Sequence, residues 1–316
     1  MKIAFFGTSD FSVPVLKSVF NSGHKIVVVI TQPDKPAGRK QIITPTPVKK
    51  IATENNLPVL QPEKVSDKIF IDEYKKYAPD LNLIVSFGQI LPDELIYFPK
   101  FHSINVHASL LPKYRGASPI NHAIINGDKK TGITYQFIEK KLDAGDIIYA
   151  VEIPIEKQDT SITLYKKLSE LAAATVLKVL NMIETQSYKR IKQDESMTTY
   201  VKTLKKEDGK INFNDSSVNI FNKIRGLLPW PCAYCFYDDK MLKIFLSELV
   251  EEKFNAAFVT APVPGQIVKI VKNSGFIVAC KNSFLLIKEV QIEGGKKMSA
   301  YDFAIGHKDI VDKILK

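Results

Sequence analysis

The sequence predicts an α/β fold in two parts, a mostly parallel, Rossmann-like sheet domain followed by a small, OB-like β-barrel, and three observations carry that expectation. The first is length: at 316 residues a single core tends to split in two. The second is a strand, helix, strand succession within about thirty residues of the N-terminus, the pattern of a parallel βαβ unit. The third is a change of texture in the last third of the chain, where short β-rich runs recur between turn residues.

Taken in order, Ile3 to Phe6 reads as a buried strand running into Gly7-Thr8, Phe11 to Phe20 has helical spacing, and KIVVVIT from Lys25 to Thr31 is a second β-branched strand. A helix follows near Pro47 to Asn55, then core strands at Leu83 to Phe87 and Ser103 to His107. Thr134 to Ile138 and Ile147 to Ile153 read as further strands of the same sheet, joined by the turn Asp143-Ala144-Gly145-Asp146. Asp159, Thr160 and Ser161 offer caps for a helix reaching about Glu184, with Leu164, Leu168 and Leu171 on one face. Residues from Ser187 to Lys206 lack apolar periodicity and read as a connection. The runs Ala233 to Phe236, Leu242 to Leu246, Gly265 to Val271, Gly275 to Ala279 and Phe284 to Val290 are the barrel strands. Domains are therefore expected at 1–189 and 207–316, with a linker at 190–206.

Composition is that of a globular chain, 45% hydrophobic and 25% charged, without low-complexity tract or internal repeat. The apolar run at the N-terminus is too short for a signal peptide, and no stretch approaches the roughly 20 apolar residues of a membrane helix. A cytoplasmic protein without a membrane partner, acting as a monomer, is expected. Cys232, Cys235 and Cys280 cannot all pair, so reduced thiols are expected. PCAYC contains a C-x-x-C, but no second pair completes a zinc site, and no metal is expected. The net charge is +10. Residues 201–316 hold 18 basic against 13 acidic residues, and the segment from Lys35 to Lys50 carries Lys35, Arg39, Lys40, Lys49 and Lys50 with no acid. The latter reads as a basic loop suited to a polyanion.

Open α/β sheets bind ligands outside the carboxyl ends of their parallel strands, where Gly7-Thr8, Phe87-Gly88 and Asn105-Val106-His107 fall. Gly7-Thr8-Ser9 lacks the G-x-G-x-x-G pattern, so a nucleotide cofactor is not expected. Residues i and i+2 of a strand share a face, which puts the Asn105 carboxamide beside the His107 imidazole, and Pro112 marks the strand's end nearby. A carboxamide N–H suits developing negative charge and an imidazole moves protons near neutral pH; Asp143 adds a carboxylate able to hold the imidazole. Each alone has an ordinary structural explanation, as a satisfied core histidine or a turn aspartate.

Together, N-x-H-x-S-L-L-P-x-Y-R-G-x-x-P-I from Asn105 and L-D-A-G-D from Leu142 resemble the 10-formyltetrahydrofolate-dependent formyltransferase family. GTSDF, TQPDKPAGRK, SFGQILP, RGLLPWPCAY and GGKKMSAYDF extend the resemblance over nearly the whole chain, with small departures at Ser9, Ser86-Phe87 and Lys40. The resemblance implies transfer of a formyl group from 10-formyltetrahydrofolate to an amine without a metal. Asn105 and protonated His107 would stabilise an oxyanion, His107 would move the proton, and Asp143 would orient and charge it. It further implies a folate pocket lined by Phe87, Gly88, Ile90, Leu91, Pro92, Ser109, Leu110, Leu111 and Pro112.

Three acceptors compete. Glycinamide ribonucleotide enzymes of this family are single domains, which the extra C-terminal residues disfavour. Enzymes acting on sugar-nucleotide amines share the motifs and are the main alternative. The basic insertion favours an RNA acceptor end, the initiator methionyl-tRNA, with Lys35, Arg39 and Lys40 as its contacts and the C-terminal barrel as a second tRNA-binding surface. A non-enzymatic RNA binder is disfavoured by the intact Asn105, His107 and Asp143.

Overall fold

The computed structural model describes residues 1–38, 41–251, 262–281, 283–307 and 309–316. Up to Val201 the chain forms strands β1 (Lys2–Gly7), β2 (Lys25–Ile30), β3 (Lys35–Ala37), β4 (Ile42–Thr44), β5 (Val59–Leu60), β6 (Leu81–Val85), β7 (Ser103–His107), β8 (Arg115–Gly116), β9 (Lys130–Phe137), β10 (Ile147–Pro154) and β11 (Tyr200–Val201). Between them lie helices α1 (Ser12–Phe20), α2 (Pro47–Glu54), α3 (Lys68–Lys75), α4 (Asp93–Ile96), α5 (Pro119–Ile125) and α6 (Ser161–Glu184).

The main sheet has the order β10-β9-β7-β6-β1-β2-β5. Every pairing from β7 to β5 is parallel, while β9 and β10 run antiparallel at one side. The long apolar runs have the composition that a sheet covered on both faces requires. Phe6 of β1 packs edge-on against Phe87 at 5.3 Å and lies in one buried cluster with Val28, Tyr74, Ile84 and Leu95. Because β1, β6 and β7 are parallel, their carboxyl ends share one edge of the sheet. There Thr8 Oγ1 donates to the Phe87 carbonyl at 2.9 Å and the Thr8 amide to the Ser86 carbonyl at 3.2 Å.

The segment from Lys35 to Lys50 is not simply a loop. Its described residues form β3 and β4, paired antiparallel, and then enter α2, where Thr46 Oγ1 caps the Lys49 amide and Pro47 occupies the first turn. The segment also meets an acid just outside it: Lys49 Nζ lies 2.5 Å from Asp34 Oδ2, and this bond together with one from Gln61 pulls the Asp34 carboxyl below its ordinary range.

The described chain divides into two compact units, Met1–Pro119 with Lys130–Pro154 and Tyr165–Val201, and Ile120–Lys129 with Ile155–Leu164 and Lys202–Lys316. Residues from 190 to Val201 are part of the first unit because β11 pairs in parallel with β8. Two short stretches of the N-terminal half count with the second unit, inside which Asn121 Nδ2 donates to the Gly226 carbonyl at 2.7 Å and Arg225 Nη1 to the Asp159 carbonyl at 2.8 Å.

The second unit contains α7 (Ser217–Gly226), β12 (Ala233–Tyr237), β13 (Lys240–Leu249), β14 (Ile267–Val271), β15 (Gly275–Ala279), β16 (Phe284–Ile292), β17 (Met298–Ser299) and α8 (Ala300–Ile305). Its antiparallel sheet runs β12-β13-β16-β15-β14, with β17 on β16. The C-terminal residues bridge the two outer strands: Lys316 exchanges both backbone bonds with Phe236, and the Ile267 amide donates to the Lys313 carbonyl. That closure makes the sheet a small barrel around Ile244, Phe276, Val278, Ile287 and Phe303. Cys232, Cys235 and Cys280 are buried and unpaired. Among the described residues no helix is long and apolar enough to cross a membrane, and no group of three or more His, Cys, Asp or Glu is placed to hold a metal.

Candidate active site

β7 delivers Asn105 and His107 to the edge where β1 and β6 also end, and the register sets their neighbour: Asn105 lies opposite Gln136 of β9. Asp143 reaches the same place from the turn after β9. Its backbone is left-handed at φ 50° and Gly145 follows two residues on, where a Cβ would stand 1.8 Å from the Phe137 carbonyl oxygen. Only glycine fits that approach, so the L-D-A-G-D pattern is a geometric requirement of the turn.

The Asp143 carboxylate is the centre of the cluster. Oδ1 accepts from Asn105 Nδ2 at 3.3 Å and from Gln136 Nε2 at 3.0 Å. Oδ2 accepts from the Gly116 amide at 2.8 Å and faces His107 Nδ1 at 3.6 Å, an ion-pair distance when the imidazole is protonated. On the ring's other side Nε2 lies 2.9 Å from the Tyr114 carbonyl, which can only accept, so that nitrogen carries a proton. Both His107 and Asp143 side chains are nearly excluded from solvent, at 7% and 10%. A carboxylate, an imidazole and a carboxamide held together away from water form a set for proton transfer and charge stabilisation, with one Asn105 N–H left over after its bond to Asp143.

The other expected residues sort by exposure. Phe87, Leu91, Ser109 and Leu111 are buried in packing, whereas Gly88, Ile90, Pro92, Leu110 and Pro112 keep accessible surface, Ile90 at 84%. The Ser109 turn is pinned from β9: Thr134 Oγ1 donates to the Ser109 carbonyl at 2.7 Å and accepts from the Leu111 amide at 3.1 Å. Lys35 is exposed on β3; Arg39 and Lys40 lie outside the described residues.

Sequence reasoning passed over Gln136 and Gln193. For Gln136 a signal existed: it is a polar residue in a strand that is otherwise buried throughout its last seven positions. Gln193 carried none, being one glutamine in a polar stretch with its partners about fifty residues away.

A Rossmann-like sheet whose strand ends hold an Asn-His-Asp cluster, in a chain that also carries a small antiparallel barrel, is the architecture of a group-transfer enzyme. The family pattern described as formyl transferase matches residues 1–180, and that of its C-terminal domain matches residues 203–308. The chain belongs to the formyl transferase family. Relatives named methionyl-tRNA formyltransferase include one from Sulfurihydrogenibium sp., 44% identical over 98% of this chain and 97% of that protein. Another, from Bacillus velezensis, is 44% identical over 96% of this chain and 94% of that one. The solved structure of an N-formyltransferase from Helicobacter canadensis, in complex with folinic acid and dTDP-3-aminofucose, superposes with a TM-score of 0.67 over 91% of this chain and 98% of that one at 22% identity, a likeness of fold.

Proposed function

We propose that this chain transfers the formyl group of 10-formyltetrahydrofolate to the free amino group of initiator methionyl-tRNA, as a cytoplasmic monomer serving translation initiation. The observation that carries the reaction is the convergence of Asn105 and His107 on one carboxylate, Asp143, at the shared strand edge. The acceptor follows from relatives of that name matching over nearly the full length of both chains.

The strip beside the cluster fits a folate. None of the backbone N–H groups of Gly88, Gln89, Ile90 and Leu91 donates to an acceptor among the described residues, and Ile90, Pro92 and Leu110 offer apolar surface next to them. A flat heterocycle with in-plane acceptors satisfies such amides while its faces meet the apolar side chains. When bound, 10-formyltetrahydrofolate supplies an activated formyl carbon. The free Asn105 N–H stabilises negative charge developing on the formyl oxygen, and His107 takes the proton released by the attacking amine and returns it toward the leaving nitrogen. Asp143 holds the imidazole and stabilises its charged form. With Nε2 held by the Tyr114 carbonyl, Nδ1 on the Asp143 side is the nitrogen this reading expects to carry that proton. Lys35, Arg39 and Lys40 bind the tRNA acceptor end through phosphate.

A transfer assay offering methionyl-tRNA, a sugar-nucleotide amine and glycinamide ribonucleotide side by side tests the reading. Formyl transfer to methionyl-tRNA alone is expected; turnover of a sugar-nucleotide amine with none of methionyl-tRNA overturns it.

A further inference from the structure

Behind Asp143 lies a second layer of polar side chains that the reaction as described does not use. Arg115 is fully buried, and its guanidinium grips one amide: Nε and Nη2 both donate to Gln193 Oε1, at 3.0 and 2.8 Å. Gln193 Nε2 in turn faces three acceptors, the Gln136 Oε1 at 3.0 Å, the Asp143 carbonyl at 2.9 Å and the Gly145 carbonyl at 2.8 Å.

A terminal amide has two orientations that differ by exchanging oxygen and nitrogen, and only its partners decide between them. Here the decision propagates. A guanidinium has no acceptor, so the Gln193 oxygen must point at Arg115 and its NH₂ at the turn. That NH₂ claims the Gln136 oxygen, which forces the Gln136 NH₂ toward Asp143 Oδ1. Asp143, an acceptor at both oxygens, then draws the Asn105 NH₂ toward itself. From a group that only donates to a group that only accepts, no amide in the series is free to flip. The two N–H groups of Gln193 Nε2 are shared among three acceptors, the Gln136 oxygen and the carbonyls of Asp143 and Gly145 on either side of Ala144, so the same amide also holds the left-handed turn that aims the carboxylate.

We propose that Gln193 and Gln136 are positioning residues for formyl transfer, a relay anchored on Arg115 that fixes both the orientation of the Asp143 turn and the direction in which the Asn105 amide faces the formyl oxygen. The proposal rests on the reading of Asn105 and Asp143 as reacting groups. It explains why the segment after α6 folds back into the first unit: its β11 pairing with β8 and its Gln193 both serve the same turn. Glu195 on the outer side of Arg115 is not part of the relay; it pairs with Arg115 at 2.8 Å and with Lys141 at 2.6 Å and is largely exposed.

Gln193→Glu is nearly isosteric and reverses the relay, since a carboxylate repels the two turn carbonyls and leaves Gln136 without its donor. Steady-state transfer from 10-formyltetrahydrofolate to methionyl-tRNA should show kcat lowered by about ten- to a hundredfold, the scale of a small misplacement of reacting groups, with KM for both substrates within about twofold of wild type. Glu195→Gln should keep kcat within about twofold. Gln136→Leu, which cuts the series one step nearer Asp143, carries the same expectation and replaces Gln193→Glu if that variant does not fold. Unchanged kcat in the folded variants, or a loss through KM alone, overturns the relay. Wild-type enzyme that transfers nothing to methionyl-tRNA would instead contradict the function itself, and the two failures are distinguishable in one experiment.

Discussion

The ends of β6, β7 and β9 and the barrel of the second unit are both closely packed, yet they bury different chemistry. Around the first lie His107, Ser109, Arg115, Thr134 and Gln136, all shielded from solvent. The barrel core is built mainly of aliphatic and aromatic side chains such as Ile244, Phe276, Ile287 and Phe303, and its buried polar side chains, Ser217, Asn222 and Ser247, are fewer. Burying a polar group without partners costs a few kcal/mol, so a region rich in them must satisfy each one by precise placement. That placement is what a reaction needs and what a stability core does without. On the proposed function the chemistry belongs to the first unit, and the barrel supplies a scaffold with an outer surface.

The contrast breaks first if the polar cluster proves dispensable. Asn105→Ala and His107→Ala should each slow formyl transfer by about a hundredfold or more in rapid-quench measurements, with affinity for the folate donor little changed. Next in size is Gly145→Ala, whose methyl group would collide with the Phe137 carbonyl. It should destabilise the protein by about 1–3 kcal/mol in urea unfolding and depress transfer further than the lost stability explains.

In the barrel the expected pattern inverts. Cys235→Ser puts a hydroxyl into an apolar core where the thiol's nearest acceptor, the Leu242 carbonyl, is 3.7 Å away. Stability should fall by about 1–3 kcal/mol while turnover per folded molecule stays the same. Burial also pushes the Cys235 thiol upward, so alkylation of the native protein at mildly alkaline pH should be slow at this position by mass spectrometry.

The smallest effect belongs to Glu195, whose carboxyl is held down at about 2, against an ordinary 4.5, by its bonds to Arg115 and Lys141. A carboxyl lowered on folding stabilises the protein above its ordinary value and loses that contribution as pH falls through about 2. The melting temperature of Glu195→Gln should therefore lie slightly below wild type at neutral pH and converge with it toward pH 2. The side chain is exposed, so the difference should also shrink with salt.

Much of the fold was legible because apolar runs declare themselves. KIVVVI and SINVH became β2 and β7 with bounds within a residue of those expected, and the N-x-H pair on β7 was visible from strand alternation alone. What escaped lacked periodicity. The β3–β4 pair has Pro36 within a three-residue strand, and α3 is too short for its Phe70, Ile71 and Tyr74 to outweigh the charges around them. The segment after α6 reads as a linker because its contacts are scattered single residues, Ile191 on Ile147, Arg190 on Asp146, Gln193 on Arg115 and the Asp143 turn, and β11 on β8, each with its partner far away in sequence. Site residues that touch a reacting atom leave motifs; those that orient them by amide direction leave only a polar residue in the wrong place, as Gln136 does in β9.

The central claim is that Asp143 organises the reacting groups, and Asp143→Asn tests it most directly by keeping the shape of the side chain while replacing one acceptor oxygen with a donor. Single-turnover transfer from saturating 10-formyltetrahydrofolate to methionyl-tRNA should fall by about a hundredfold or more with the melting temperature close to wild type. A single-turnover rate within about twofold of wild type would show that Asn105 and His107 act without this carboxylate, and the account would fail.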